Sequence, residues 1–186
     1  MKNNIKFNNS KILYTFSSVN GKYTVELTYE FINQYQLQNT SIKVSSKSND
    51  AISSIDIRKL NIYSLNKKAQ KQISNLAELD NNYFSKKTGN KNFNRFNVTK
   101  FVKNIKTRNS TNRNELMCQY AYVYDFYIKS NHNNYSLFLA KKLNYSENYI
   151  KNLTKELFEK KYLLKNTKGV PGGVFSKKTL KYFNSL

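Results

Sequence analysis

Hydrophobic and polar residues alternate in the first part of the chain, with the two-residue period of half-buried β-strands. In residues 22–28, apolar side chains stand at every second position between polar ones. Residues 11–16 and 40–45 are rich in β-branched and aromatic side chains. Asn20 and Gly21, which lie between residues 11–16 and 22–28, form a strong hairpin-turn signal. The pattern therefore predicts three short strands.

Helical spacing follows the predicted strands. Ser54 and Ser64 are suitable N-cap residues for helices over residues 55–60 and 65–79. Apolar residues recur every three positions in the second of these segments. Residues 1–80 are therefore predicted to form a small β-rich α+β module, in which no residues have a catalytic spacing.

Residues 81–112 show weak periodicity, many asparagines and one glycine, Gly89. This composition predicts a basic linker between two domains. Within it, residues 97–105 could form one or two helical turns around Phe101.

A longer helix is predicted from Asn114 to Ile128. Its apolar residues form two adjacent stripes, which make a face wider than one packing contact needs. We expect this helix to pack on two sides, against its own domain and against a neighbour. That neighbour is either the N-terminal module or a second copy of the chain.

Residues 136–164 have the pattern of two short helices that cross at a tight turn. The small Ala140 stands where the helices would touch, and Asn144 stands at the turn, where a left-handed backbone conformation is needed. Ser146 can cap the second helix, with Glu147 in its first turn. The remaining positions suited to burial around the turn are Leu139, Leu143, Tyr145, Ile150 and Leu153.

Two short strands and a final helix are predicted over residues 162–186. Three of the five glycines and the only proline, Pro171, lie between these strands, as in a β-hairpin loop. Together, residues 112–186 resemble the winged helix-turn-helix family of DNA-binding proteins, with Asn144 in place of the usual turn glycine. The resemblance covers about 40% of the chain.

The predicted fold class is α+β in three parts. A β-rich α+β module occupies residues 1–80, a basic linker residues 81–112, and a winged helix-turn-helix domain residues 113–186. The chain has 32 Lys+Arg and 11 Asp+Glu, a net charge of +21. Of these, 21 bases and 5 acids lie in residues 81–186, a net of +16. This surplus favours a nucleic-acid partner.

The resemblance also implies which residues would contact DNA. The second helix would enter the major groove, where an asparagine can pair with adenine through both amide atoms. Lysines of the first helix and of the hairpin loop would follow the backbone, and arginines near the motif could enter an A/T-rich minor groove. The predicted DNA-binding residues are Ser146, Glu147, Asn148, Lys151, Asn152, Lys155, Lys141, Lys142, Lys168, Arg95, Arg108 and Arg113.

Catalytic and metal sites have little support in the sequence. The chain has a single cysteine, Cys118, and a single histidine, His132. These counts exclude a disulfide scaffold and a metal site built from several cysteines or histidines. The phosphate-binding patterns GxxxxGK[ST] and GxGxxG are absent from the sequence. We expect no cofactor, no metal and no enzymatic activity. With no signal-peptide pattern and no membrane-spanning apolar stretch, the expected compartment is the cytoplasm, without membrane contact.

The expected function is sequence-specific binding of double-stranded, A/T-rich DNA. The protein would be a bacterial transcriptional regulator, or an accessory factor in replication, segregation or transfer of a plasmid or phage. Since helix-turn-helix proteins often bind two half-sites as dimers, a homodimer is expected. Its contact surface would be either the wide apolar face of residues 114–128 or the N-terminal module. Two alternatives remain open at this point: a non-specific DNA- or RNA-binding packaging protein, and a winged helix that binds only other proteins.

Overall fold

The chain folds into two compact units, Met1–Arg95 and Phe96–Leu186. The structure is a computed structural model that describes residues 3–8, 10–48, 50–110, 112–129, 134–166 and 172–186. The first unit combines an antiparallel sheet with helices, and the second is mainly helical. The predicted α+β class is confirmed.

A four-stranded antiparallel sheet forms one layer of the first unit. Alternate side chains of its central strands, including Tyr14 and Val25, are fully buried on one face. The predicted turn at Asn20 and Gly21 is confirmed, because both residues have positive φ. The strands are β1 (Asn3–Asn8), β2 (Lys11–Val19), β3 (Tyr23–Asn33) and β4 (Gln36–Ser46), in that order across the sheet. Strand β1 is not predicted from sequence, because it has only two apolar side chains in alternation.

Helices α1 (Ser54–Lys59), α2 (Ile62–Leu79) and α3 (Asn81–Thr88) complete the first unit. One face of α2 contributes to the core that the sheet builds, through Leu65, Ala69, Ile73 and Ala77. The predicted caps differ from the observed ones. Ser53 caps α1, and Asn61 caps α2 by accepting the Ser64 N–H at 2.9 Å.

The prediction of a basic linker over residues 81–112 is wrong. Its first part contains α3 and places Phe84 and Phe93 in the core of the first unit. Its second part forms α4 (Val98–Lys106), which packs on the next helix through Phe101, Val102 and Ile105. Helices α3 and α4 are only two or three turns long, and each has few apolar residues. Such short helices show only weak helical periodicity in the sequence, so they are not distinguished from a linker.

The second unit follows the predicted order of elements. Helix α5 (Arg113–Lys129) is central, and every residue from Met117 to Asp125 is buried. Helices α4, α6 and α8 all contact α5. The wide apolar face of α5 is therefore covered within its own unit rather than by a second copy of the chain. The later elements are α6 (Tyr135–Leu143), α7 (Glu147–Glu159), β5 (Leu163–Lys165), β6 (Gly173–Phe175) and α8 (Lys177–Asn184).

Strands β5 and β6 pair in antiparallel fashion, as the predicted hairpin requires. Much of the loop between them, residues 167–171, lies outside the described residues. Among the helices that the structure describes, none combines the length and the apolar character needed to cross a membrane.

Candidate nucleic-acid interface

The turn between α6 and α7 depends on Asn144. Its φ of 59° and ψ of 48° are left-handed, a conformation that asparagine tolerates better than most residues with a side chain. The backbone N–H groups of Asn144 and Tyr145 both donate to the carbonyl of Ala140. Ser146 then accepts the N–H of Tyr149 at 3.2 Å and caps α7. The predicted turn residue and cap are both confirmed.

One face of α7 is fixed inside the second unit. Ile150, Leu153 and Leu157 are buried there. The Thr154 hydroxyl donates to the Ile150 carbonyl at 2.8 Å, so its oxygen accepts from the Tyr120 hydroxyl at 2.7 Å. These contacts hold α7 in one orientation, and this orientation determines which of its side chains face the solvent.

The opposite face of α7 is exposed. Asn148 and Asn152 lie one turn apart on it, and their side-chain amides have no hydrogen-bond partner in the part of the chain that the structure describes. Lys151 and Lys155 are exposed beside them. The predicted contact residues of this helix therefore share one surface that offers amides and lysines.

The charges on α7 are partly paired within the helix. Lys151 lies 2.9 Å from Glu147, and Lys155 lies 3.7 Å from Glu159. Lys151 lowers the pKa of Glu147, and the Ser136 hydroxyl, which donates to Glu147 at 2.8 Å, lowers it further. Glu147 thus connects α7 to α6, a structural contact that the sequence does not indicate.

Lys141 and Lys142 are exposed in the last turn of α6. The Lys142 ammonium lies 5.8 Å from the centre of the Tyr127 ring. Two cations at the C-terminal end of a helix are favourably placed with respect to its dipole. Both ammonium groups therefore lie at the surface of the second unit.

A cleft of about 650 Å³ opens at the N-terminal end of α7. Its aromatic part is formed by the rings of Tyr145 and Tyr149, whose centres are 4.7 Å apart. Arg108 follows α4 and is exposed, and the Ser110 hydroxyl oxygen is buried without a hydrogen-bond partner among the described residues. The complete lining is Arg108, Ser110, Asn112, Arg113, Leu116, Tyr145, Ser146 and Tyr149.

Arg113 joins α5 to α7 beside this cleft. Its guanidinium binds both carboxylate oxygens of Glu156, with an Nε–Oε1 distance of 3.3 Å. It also donates to the Tyr149 hydroxyl at 3.2 Å. Arg113 is the main cause that lowers the pKa of Glu156 to about 2, and Lys160 adds to the effect. Arg113 is thus held inside its own unit, and a DNA phosphate would compete with Glu156 for it.

The β5–β6 hairpin is attached to α5 through Asp125. This side chain is buried, pairs with Lys129 at 2.7 Å and accepts the Gly173 N–H at 3.1 Å. A Cβ atom on Gly172 would lie 2.5 Å from the Asp125 carboxylate, and the φ of Gly172 is +86°. The hairpin position therefore depends on glycine at 172.

Two of the predicted DNA-binding residues, Arg95 and Lys168, lie outside the described part of the second unit. Arg95 belongs to the first unit, where it interacts with Tyr35. Lys168 lies outside the described residues. The surface therefore consists of α7, the end of α6 and the cleft with Arg108.

No match to this chain was found among protein-family models, curated proteins or solved structures. Within the residues that the structure describes, no group of three or more His, Cys, Asp or Glu side chains could hold a metal ion. Burial raises the pKa of the Cys118 thiol to about 11, so this group is protonated at neutral pH.

Proposed function

We propose that the chain is a sequence-specific double-stranded DNA-binding protein that reads the major groove with α7. In this proposal, residues 113–186 form a winged helix-turn-helix domain. The observation that supports the proposal is that α7 has one buried face and one exposed face. The exposed face carries Asn148, Lys151, Asn152 and Lys155. An α-helix fits the B-DNA major groove, and its base edges are read there by such side chains.

Asn148 and Asn152 are the proposed base-reading residues. Each could bind adenine N6 and N7 with its amide, which would favour A/T-rich sites. Lys151 could leave Glu147 and bind a guanine or a phosphate instead, because the ion pair between the two residues is exposed and therefore weak.

The cleft at the start of α7 supports a backbone contact in the same complex. A helix N-terminus attracts a phosphate through its free N–H groups, and Arg108 and Ser110, which line the same cleft, would add donors. Lys141 and Lys142 would bind neighbouring phosphates. Such contacts set the position of the helix without reading sequence.

The proposed biological role is a transcriptional regulator or an accessory factor of a plasmid or phage. We further propose that the protein binds DNA as a homodimer through its first unit, because α5 is covered within the second unit. Ile42 on the edge strand β4 is 46% exposed, and α1, which has no buried residue, exposes Ile55 and Ile57. These side chains are the candidate dimer contacts.

Selection of bound duplexes from random-sequence DNA tests this proposal. The full chain should enrich a consensus that contains adenines, and the double variant Asn148→Ala/Asn152→Ala should lose it while still binding DNA at low salt. The matched control is Asn82→Ala/Asn114→Ala, which removes two exposed helical amides elsewhere. This control should enrich the same consensus as the unchanged protein.

Non-specific DNA or RNA binding is the second candidate, and the net charge of +21 favours it. Competition separates the two functions, because a specific complex resists excess unrelated DNA by a factor of about 10³ or more. If no consensus is enriched, and unrelated DNA or RNA competes equally with every bound duplex, the specific function is contradicted.

A further inference from the structure

Positive charge is not confined to the unit that contains α7. The first unit has 15 Lys+Arg and 6 Asp+Glu within residues 1–95. Several of its acids already have structural roles. Glu26 and Glu30 pair with Lys43 and Lys11, and Asp80 caps α3.

The outward face of α2 carries a compact group of lysines. Lys67, Lys68 and Lys71 are exposed and lie within about one and a half helical turns. They stand opposite the stripe from Leu65 to Ala77 that is buried in the core. We call these three residues the α2 lysine face.

These lysines differ from the lysines of α7 in their ion pairing. Lys67, Lys68 and Lys71 have no ion-pair partner among the residues that the structure describes, whereas Lys151 and Lys155 each pair with a glutamate of their own helix. A lysine without a partner binds a phosphate without first breaking an internal contact. The α2 lysine face therefore offers its full charge to a polyanion.

We propose that the α2 lysine face is a second nucleic-acid-binding surface, which binds the phosphate backbone independently of base sequence. The inference deepens the proposed function and rests on it, since it concerns the same nucleic-acid partner. Its role is to add affinity, while α7 supplies sequence preference. A point charge on a flexible stem suits phosphate contacts of this kind.

Double-stranded DNA fits this face better than an anionic membrane does. The apolar stripe of α2 is buried in the core, so the helix has no free apolar face to insert into lipid. Tyr63 and Leu79 are exposed near opposite ends of the helix and do not form a stripe. Long-range charge attraction remains, and the duplex backbone has the higher density of negative charge.

Salt dependence is the measurable consequence. Each neutralised phosphate contributes about −0.9 to the slope of log affinity against log salt concentration. Three contacts would therefore account for about 40-fold of the affinity lost between 50 and 200 mM salt.

The experiment uses the full chain and an unrelated duplex, with binding measured at several salt concentrations. The variant Lys67→Gln/Lys68→Gln/Lys71→Gln should bind more weakly at low salt, and its salt slope should be shallower by about 2 to 3. The control Lys6→Gln/Lys11→Gln/Lys43→Gln removes the same charge from the sheet, where Lys11 and Lys43 are already paired. We expect the salt slope of this control to differ from that of the unchanged protein by no more than about one.

The outcomes separate this inference from the proposed function. An α2 variant with the same slope as the sheet control overturns the inference, even if α7 still selects a consensus. A salt slope that is shallower by about 2 to 3 in the α2 variant supports the inference, even if Asn148→Ala/Asn152→Ala shows that α7 selects nothing. If the α2 variant loses binding only to vesicles of phosphatidylcholine and phosphatidylserine, the surface belongs to a membrane and the inference is wrong.

Discussion

Glu156 and Arg113 show how one ion pair connects the candidate interface to its support. The Glu156 side chain is 19% exposed and Arg113 is 47% exposed, so solvent weakens the pair without removing it. Because Arg113 binds both oxygens of the carboxylate, the contact is stronger than a typical surface pair. It fixes α5 to α7 at the edge of the cleft.

This pair predicts a pH-dependent contribution to stability. Glu156→Gln should lower the free energy of unfolding by about 1 kcal/mol at neutral pH, because it removes the charge that Arg113 binds. The pKa of Glu156 is lowered from 4.5 to about 2, so the ionised form is favoured in the folded state. The contribution is therefore complete above pH 4.5 and disappears as the pH falls through 2.

Urea unfolding at a series of pH values measures this difference. Glu159→Gln is the control, because Glu159 is 62% exposed and lies 3.7 Å from Lys155. We expect that control to differ little from the unchanged protein. A Glu156→Gln effect that stays constant down to pH 2 would contradict the assignment.

The roles of Asn144 and Ser146 can be predicted from sequence because each residue acts on its own neighbours. A left-handed residue and an N-cap satisfy local backbone requirements, whatever the rest of the chain does. Helical spacing alone likewise places Asn148 and Asn152 on the exposed face. The sequence indicates Arg113 only as a DNA-contacting residue, because its partner Glu156 is 43 residues away along the chain.

Among the elements, the β5–β6 hairpin depends on contacts with α5 more than on its own pairing. Only three residue pairs connect its strands, so the pairing alone is weak. The Gly173 N–H and the buried Asp125 carboxylate supply the additional contact. The close approach of Gly172 to that carboxylate makes the position intolerant of a side chain.

Gly172→Ala should therefore loosen the hairpin. The new Cβ would meet Asp125 at 2.5 Å, and alanine would be strained at a φ of +86°. We expect a loss of about 2 kcal/mol in stability, combining the strain with the displaced contact. Faster hydrogen exchange of the Gly173 amide is the direct measurement.

Gly89→Ala is the matched control for backbone strain. Gly89 has a φ of +68°, and a Cβ atom added to it would have no neighbour within 4 Å, so only the backbone strain of about 1 kcal/mol applies. This substitution should leave exchange of the Gly173 amide unchanged. Equal protection of that amide in Gly172→Ala and in the unchanged protein would contradict the proposed attachment.

Helix boundaries are predicted less well than helix existence. For α1 and α2 the capping residues lie one and three positions before the predicted ones, because several Ser and Asn side chains near each start can cap a helix. Helix α3 is not predicted, since its one fully buried side chain, Phe84, gives no repeat. Its position depends on the aromatic neighbours Phe7, Phe31 and Phe93, which come from other parts of the first unit.

For the assembled protein, coverage of α5 changes where a dimer contact can form. The sequence alone leaves two candidate surfaces, the apolar helix and the N-terminal module. Since helices α4, α6 and α8 cover α5, the first unit is the remaining candidate. Its exposed isoleucines are the side chains that such a contact would bury.

We expect light scattering to give twice the chain mass of 21.9 kDa. Ile55→Lys/Ile57→Lys should give the mass of one chain, because charge at an apolar contact opposes association. Leu79→Lys is the control, since Leu79 is 86% exposed at the end of α2. A single-chain mass for the unchanged protein at the concentrations used for DNA binding would contradict the dimer proposal.

Local sequence was sufficient for the α+β class, the central strands, the turn at Asn144, the cap at Ser146 and the two faces of α7. These features depend on side-chain periodicity and on backbone preferences within a few residues. They could therefore be predicted without knowledge of any distant contact.

Tertiary packing decided the division at Arg95 and Phe96, the burial of α5, the cleft beside Tyr149 and the attachment of the hairpin to Asp125. Each of these features joins residues that are far apart in sequence. The Asp125 contact with Gly173, for example, spans 48 positions. Periodicity reports which side of an element is apolar, but only the folded chain determines which other element covers that side.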